Sequence, residues 1–446
     1  MRKGNNEQGL LHSLIVLSVP TIIEQLLSTL LQYVDTAMVG HLGEQATASV
    51  SITTTITWLV NSIPSAIGVA VLALVARYLG SQDKAAIKEI SKQSLILVVI
   101  SGILLGGISV LLSPFIPRWM GAEEAIQEQA AIYFAIISIP MVFRSASTVF
   151  GAAIRATKDT KTPMIISVLA NVINIVCNAL FIYGLHWGVT GAAIGSALSY
   201  IFSGIAMFFA YRKKNVLYFR LKELSVNSRQ LFECAKVGVP ILGTNLASCL
   251  GYVIFASLVS DMGTTTFAAH SIAVTAETLF YIPGYGLRTA TSTLIGHALG
   301  ERDRKKFEST AYFSVIVTMG IMVLNGIFLF FAARPLMNLL TSSEAVAALG
   351  AKMLRLVAFS EPFFGLMIIM EGIFYGLGRT QYTFLVETFS MWAVRILFTV
   401  FCVKFWHLPL QAVWVCMIAD NVCKAVLLTI PILSKRFRKK LFVVDN

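Results

Sequence analysis

Charged residues are scarce in this sequence. Asp, Glu, Lys and Arg together make up 13% of its 446 residues, whereas hydrophobic residues make up 56%. A soluble globular domain carries about 25% charged residues. The composition therefore excludes an ordinary soluble fold.

The motifs of nucleotide and metal chemistry are also missing. No G-x-x-x-x-G-K-[ST] occurs, which argues against a pump that hydrolyses ATP in this chain. The six histidines are scattered, with no H-E-x-x-H or paired-ligand spacing, and the six cysteines lack metal-ligand spacing. We therefore expect no enzyme, no cofactor, no metal centre and no disulfide, with the cysteines serving as small apolar filler.

Long apolar runs are what the chain has in place of charge. The run 94–112 is one of several with the length, about 20 residues, that a helix needs to cross a bilayer. Twelve such runs predict an all-α integral membrane protein with twelve transmembrane helices. The predicted spans are 14–39, 48–76, 94–117, 129–153, 163–183, 190–211, 231–259, 266–297, 309–333, 346–376, 381–404 and 408–433.

The net charge of +12 is distributed unevenly between the loops. If both termini are cytoplasmic, the cytoplasmic segments hold 25 of the 35 Lys and Arg residues and the outer loops hold 3. This partition follows the positive-inside rule. The basic balance thus indicates topology in a multi-pass inner (plasma) membrane protein, and we expect no nucleic-acid partner. The basic linker 211–230 is expected to lie along anionic headgroups.

The sequence repeats itself at an offset of 220 residues. Pro20 matches Pro240, and the stretch 63–83 resembles 282–303 with a one-residue slip. Each half holds six spans, so both halves have the same orientation, and an axis along the membrane normal should relate them. We expect an N-terminal six-helix lobe at 1–210, the linker 211–230, a C-terminal six-helix lobe at 231–434 and a basic cytoplasmic tail at 435–446.

Several short motifs occur in an order typical of one transporter family. They are VDTAMVGHLG (34–43), RATKDTKTPM (155–164), NVINIVCN (171–178), IPGYG (282–286) and GLGRTQ (376–381). With these motifs and its 6+6 repeat, the chain resembles the multidrug and toxic compound extrusion (MATE) family over nearly its whole length. Among prokaryotic members, the DinF-like branch is the candidate subgroup. The resemblance implies a two-lobe fold and export of organic cations or other amphipathic compounds in exchange for H⁺ or Na⁺.

One carboxylate stands in an apolar stretch where a charge is costly. At 1.5 Å per residue, Asp35 lies about 8 Å below the outer end of the first helix. Asn174, Asn178 and Ser196 fall at similar depth on the fifth and sixth helices, and the two asparagines share a helix face. This polar layer could satisfy an ionised Asp35, although a merely structural carboxylate is the alternative.

The family resemblance implies that Asp35, Asn174 and Ser196 form the cation-coupling site. Asn178 belongs to the same layer but departs from a common family pattern, which has aspartate there. The site then carries one negative charge fewer, which favours H⁺ as the coupling ion over Na⁺ at Asp35 and Asn174. Glu24 lies nearly on the same helix face as Asp35 and would extend the polar track inward. Pro20 is the candidate hinge of the first helix.

The second lobe has a separate set of ionisable residues near mid-membrane. Glu277 and Glu361 could hold the positive charge of a substrate, and Arg395 lies at similar depth. The alternative is an internal ion pair of Arg395 with Glu361 or Glu387. None of these carboxylates is repeated in the first half, so the two lobes are expected to have different roles in transport.

The function that these features predict is secondary active efflux, by alternating access, of cationic or amphipathic drug-like compounds. Asp35 would be the coupling carboxylate, and H⁺ or Na⁺ the coupling ion. A flippase for a lipid-linked oligosaccharide or another amphipathic lipid is the alternative, and it should line its cavity with cationic residues. A non-transporting scaffold is less compatible with carboxylates at fixed depth. The expected partners are small substrates and the lipid bilayer, and the chain is expected to be a monomer.

Overall fold

The computed structural model describes residues 2–442, and helices are the only regular secondary structure in this range. The helices of the first half are α1 (Arg2–Gly40), α2 (Glu44–Gly80), α3 (Lys84–Leu112), α4 (Ile116–Trp119), α5 (Glu124–Ser138), α6 (Met141–Ala156), α7 (Lys161–Asn178) and α8 (Gly188–Lys213). Those of the second half are α9 (Ser228–Ser260), α10 (Thr264–Gly300), α11 (Arg304–Leu340), α12 (Glu344–Ala358), α13 (Glu361–Gly376), α14 (Thr380–Phe389), α15 (Leu397–Val400), α16 (Leu410–Leu433) and α17 (Lys435–Phe442). Of the predicted basic tail, residues 443–446 lie outside the described part.

The predicted transmembrane spans correspond to helices of the structure. Within residues 2–442, nine helices are long and apolar enough to cross a membrane, and two bent helix pairs raise the number to eleven. The bent pairs are α5 with α6, which meet at 49°, and α12 with α13, which meet at 57°. The remaining predicted span, 266–297, falls on the 37-residue helix α10, which carries Glu277 and Arg288.

Prolines account for the two bends. Pro140 lies in the break between α5 and α6, and Pro362 is in the first turn of α13. Proline lacks a backbone N–H and crowds the preceding turn, so a helix bends or restarts where it occurs. The two breaks fall at equivalent positions of the two halves.

The backbone confirms the 220-residue repeat. Gly43 and Gly263 precede α2 and α10 with φ angles of 107° and 106°, a conformation that glycine adopts without strain. Asp83 and Asp303 then cap α3 and α11, and each side chain accepts a 2.9 Å hydrogen bond from the backbone N–H three residues on. The two halves therefore share their local geometry as well as their sequence landmarks.

Backbone contacts divide the chain into two compact units. One consists of Met1–Ile22 with Val239–Asn446, and the other of Ile23–Gly238. In the first unit, Leu14 and Leu17 of α1 pack into the same buried cluster as Leu287 and Leu294 of α10. Helix α1 therefore passes from one unit to the other just after Pro20, the predicted hinge.

The linker between α8 and α9 is held by specific contacts in the second of these units. Gln93 of α3 donates a 2.8 Å hydrogen bond to the carbonyl of Ser225 and accepts one of 3.2 Å from the backbone N–H of Asn227. Lys88 lies 2.6 Å from Glu223. The linker is thus bound to the N-terminal part of α3, and its predicted contact with headgroups stays a prediction.

Candidate functional site

Asp35, Asn174, Asn178 and Ser196 meet in one hydrogen-bonded cluster. The side-chain nitrogen of Asn178 donates to Asp35 and, at 3.3 Å, to the side-chain oxygen of Asn174. Asn174 in turn donates to the hydroxyl of Ser196 at 3.1 Å. Asn178 is fully buried, whereas Asp35 is partly exposed. The structure therefore brings together the four side chains that depth counting placed in one layer.

Two local features of the backbone place Asn178. It is the last residue of α7, where the chain widens into the π-helical segment Ala179–Gly184. Single turns of π-helix are frequent at functional sites. On the facing helix α8, Gly195 lies so close that a Cβ atom there would be 2.0 Å from the side-chain oxygen of Asn178. That oxygen has no hydrogen-bond partner among the described residues.

Glu24 has a partner that sequence reasoning missed. Both of its carboxylate oxygens accept from one guanidinium nitrogen of Arg155, at 2.7 and 2.8 Å. Arg155 begins the RATKDTKTPM motif, which could have signalled this pairing. The ion pair joins α1 to the end of α6, close to the predicted hinge at Pro20.

In the second half, Glu277 and Glu361 lie beside one aromatic pair. Tyr281 donates a hydrogen bond to Glu277. The ring of Tyr281 also stacks on Phe364, with the centroids 3.8 Å apart, and Phe364 is one turn after Glu361. Glu361 is fully buried, and neither of its carboxylate oxygens has a hydrogen-bond partner among the described residues. Such an oxygen is costly to bury without compensation.

Arg395 belongs to a different group. Its guanidinium lies 2.9 Å from Asp420, and neither of the partners considered from sequence, Glu361 and Glu387, is the one it contacts. Lys424 also lies 2.9 Å from Asp420, as the i, i+4 spacing suggests, and the hydroxyl of Ser390 donates to the same carboxylate at 2.6 Å. The structure thus places Arg395 in a buried ion cluster, separate from the hydrogen bond between Tyr281 and Glu277.

A second ion pair in this half, between a partly exposed arginine and a buried glutamate, has no counterpart in the sequence-based expectations. Arg288 of α10 lies 2.8 Å from Glu371 of α13. The guanidinium also lies over the ring of Tyr285, 4.9 Å from its centroid. The positive charge of Arg288 is therefore compensated by Glu371, as the low dielectric of a helix bundle favours.

Comparison with known proteins identifies the family. The MatE family model matches residues 20–180 and 240–401, once in each half of the repeat. The chain belongs to the MatE family. This is a family of membrane transporters, and the chain is accordingly a multi-pass membrane protein.

Individual MatE relatives match along nearly the whole chain. A probable multidrug resistance protein NorM from Thermotoga maritima is 26% identical over 96% of this chain and 93% of its own length. The uncharacterized transporter YisQ from Bacillus subtilis is 20% identical over 97% of this chain and 95% of its own length.

Solved structures confirm the fold of twelve transmembrane helices. An outward-facing multidrug resistance MATE transporter of the MOP superfamily superposes with a TM-score of 0.90, at 22% identity, over 97% of this chain and 96% of that one. A MOP superfamily transporter from Pyrococcus furiosus, described as having a binding pocket of reverse polarity, also reaches 0.90, at 23% identity over the same shares.

Proposed function

We propose that the chain is a multidrug efflux antiporter that exports cationic or amphipathic compounds in exchange for H⁺, with Asp35 as the coupling carboxylate. The hydrogen-bonded cluster of Asp35, Asn178, Asn174 and Ser196 is the observation that carries the proposal. The multidrug cargo is inferred from the names of the relatives. Both termini would be cytoplasmic, as the basic residues predict.

The cluster suits a carboxylate that changes charge. Burial favours the protonated carboxyl group, whereas hydrogen bonds to its oxygens favour the ionised form. The side-chain nitrogen of Asn178 serves the ionised Asp35 as donor. The oxygen of the same amide has no partner, and it could accept from Asp35 once that residue is protonated. One asparagine can therefore satisfy both protonation states if its side-chain amide flips, so that the oxygen takes the place of the nitrogen.

Coupling follows if proton and cargo compete for the same charge. A protonated Asp35 no longer attracts a cation, so proton uptake from outside would favour release of a positively charged compound. Helix α1 would shift about Pro20 as the bonds of Asp35 change, and the ion pair of Glu24 with Arg155 would hold it in one position. Proton and cargo can each shift the equilibrium between conformers only if they bind one conformer more tightly than the other.

Glu277 and Glu361 would form a second polar site in the other half. A buried carboxylate whose oxygens lack partners is a natural place for the positive group of a substrate or for a proton. Arg395 would act indirectly, because it already pairs with Asp420, the carboxylate that Lys424 also contacts. We therefore assign substrate contact in this half to the two glutamates.

The test is efflux of a cationic dye from proteoliposomes in which pH and Na⁺ gradients are imposed separately. We expect a pH gradient alone to drive efflux by the unmutated chain. Asp35→Asn should fold and insert, since it removes a partly buried charge, and should lose gradient-driven efflux. Glu123→Gln, which removes an exposed loop carboxylate, is the matched control and should transport normally. Efflux by Asp35→Asn at the unmutated rate would refute the coupling role of Asp35. If a Na⁺ gradient drives efflux and a pH gradient does not, the coupling ion is Na⁺ and not H⁺.

A further inference from the structure

Arg144 is a charged residue deep in the membrane-spanning region that the proposed mechanism does not use. It lies in the first turns of α6, just after the break at Pro140. About 18 Å of helix separates it from Ala156, where α6 ends. Charged side chains at such depth are rare, and they normally have a partner or face a water-filled space, so they mark candidate functional sites.

The environment of Arg144 differs from that of the other arginines inside the bundle. Arg155, Arg288 and Arg395 each have a carboxylate oxygen within 2.9 Å. Among the side chains that the structure describes, by contrast, no carboxylate lies within 4.0 Å of the guanidinium of Arg144, and this guanidinium donates no hydrogen bond. It is partly exposed and lies over the ring of Tyr200, 4.5 Å from its centroid.

The ring of Tyr200 holds the guanidinium without occupying its donors. A cation is attracted to the face of an aromatic ring. Guanidinium carries five N–H donors in one plane, and their fork matches the two oxygens of a carboxylate or phosphate. Arg144 is therefore oriented by Tyr200, while its N–H groups remain available to an anionic group.

Helix α8 connects this arginine to the Asp35 cluster. Ser196, Tyr200 and Ser203 are spaced at i, i+4 and i+7 and share one face of α8. Ser196 accepts from Asn174 in the cluster, and the hydroxyl of Ser203 lies 2.6 Å from that of Ser147 on α6. Ser196 and Tyr200 are about 6 Å apart along the helix axis. On this face of α8, one turn contacts the Asp35 cluster through Ser196. The next turn contacts the guanidinium of Arg144 through Tyr200.

Aromatic packing supports the same proximity. Tyr200 and Tyr133 pack against one buried cluster, which includes Phe134 and Ala193. Tyr133 also packs against a second cluster that contains Val39, one turn after Asp35 on α1. The carboxylate and the guanidinium therefore belong to one packed region of the unit Ile23–Gly238.

We propose that Arg144, held by Tyr200, binds an anionic group of the transported compound, a carboxylate or a phosphate. The Asp35 cluster then serves the positive group of the same compound, so this half of the chain selects zwitterionic amphipathic molecules. That the ligand is cargo rests on the proposed function, whereas the anion-binding role of Arg144 is testable by binding alone.

The binding test uses two probes that differ in one carboxylate. Rhodamine B is a zwitterion with a benzoate group, and its ethyl ester is a cation with the same ring system. Binding to the full chain in nanodiscs is followed by fluorescence anisotropy. We expect Arg144→Gln to weaken rhodamine B about tenfold, the loss typical of one charge-assisted hydrogen bond, and to change ester binding less than about twofold. Arg144→Lys keeps the charge and loses the planar fork, so its affinity for rhodamine B should lie between those of the unmutated chain and Arg144→Gln.

Arg229→Gln is the matched control, because it removes an exposed arginine at the start of α9. It should leave both probes unchanged. Equal weakening of both probes by Arg144→Gln, no weakening of either, or no binding of rhodamine B by the unmutated chain would overturn the proposal. Gradient-driven efflux of the ester separates the two hypotheses. If it fails in the unmutated chain, the antiport proposal fails, while the binding result still decides the role of Arg144.

Discussion

The side-chain amide of Asn178 donates a hydrogen bond to the carboxylate of Asp35, although 143 residues separate the two in sequence. The contact connects the end of α7 to α1, and Asn174 extends it to Ser196 on α8. Three helices therefore meet at one titratable group. We expect a change in the charge of Asp35 to act directly on the bond to Asn178 and, through it, on Asn174 and Ser196.

Gly195→Ala tests the geometry of this contact. The added methyl group would lie 2.0 Å from the side-chain oxygen of Asn178, so the amide must move away from its position beside Asp35. We expect a loss of about 1–3 kcal/mol in stability from overpacking, with a marked loss of gradient-driven efflux. Gly107→Ala is the control, since its Cβ would have no atom within 4 Å. Normal efflux by Gly195→Ala would show that the position of Asn178 does not matter for coupling.

Asn178→Asp tests the choice of coupling ion. The substitution places a second carboxylate beside Asp35, and two adjacent carboxylates cannot both ionise without compensation. A bound Na⁺ would supply that compensation, because hard cations prefer oxygen ligands. We expect Na⁺ to raise the melting temperature of Asn178→Asp at mildly alkaline pH more than that of the unmutated chain, as ligand binding does. K⁺ serves as the ion control. Identical Na⁺ responses in the two proteins would contradict this account of Asn178.

Asp420→Asn tests the buried ion cluster. The change leaves the charges of Arg395 and Lys424 without their carboxylate, and removing one partner of a buried pair costs about 3–5 kcal/mol. Asp261→Asn is the control, because Asp261 pairs with Lys404 at the surface, where a pair contributes about 1 kcal/mol or less. In thermal unfolding in detergent, the melting temperature of Asp420→Asn should be far below that of Asp261→Asn. Equal melting temperatures would mean that the cluster is not needed for stability.

The loop between α6 and α7 should make stability depend on pH through Asp159. Burial alone would raise the pKa of Asp159, but the ion pair with Lys214 at 2.7 Å and the hydrogen bonds from Thr162 outweigh it and lower that pKa. A lowered pKa in the folded state stabilises the protein above the ordinary aspartate pKa of about 3.9, and the contribution is lost as pH falls through the lowered value. At neutral pH, Asp159→Asn should therefore have a lower melting temperature than the unmutated chain.

The measurement is the difference in melting temperature between Asp159→Asn and the unmutated chain as a function of pH. We expect the difference to narrow below about pH 4, as the native carboxylate becomes protonated. Glu44→Gln, at the start of α2, provides the comparison for loss of an ordinary exposed carboxylate. A difference that is constant from neutral to acid pH would contradict the role assigned to Asp159.

Depth counting predicted the Asp35 cluster because transmembrane helices are regular. At a fixed rise per residue, polar positions on antiparallel neighbours fall at computable depths. The same counting placed Glu277, Glu361 and Arg395 near mid-membrane but left the partner of the arginine open. Depth says nothing about the rotation of each helix, and rotation decides that Arg395 faces Asp420.

The sequence by itself determined the spans, their repeat at 220 residues, and the caps and glycines that begin α2, α3, α10 and α11. These features depend on local composition and on contacts within a few residues. Only the tertiary structure decided which distant side chains meet, as with Glu24 and Arg155, and which do not, as with Arg144 and any carboxylate of the described residues. Helix rotation and packing create those relationships, and periodicity along one helix does not report which residue of another helix a side chain faces.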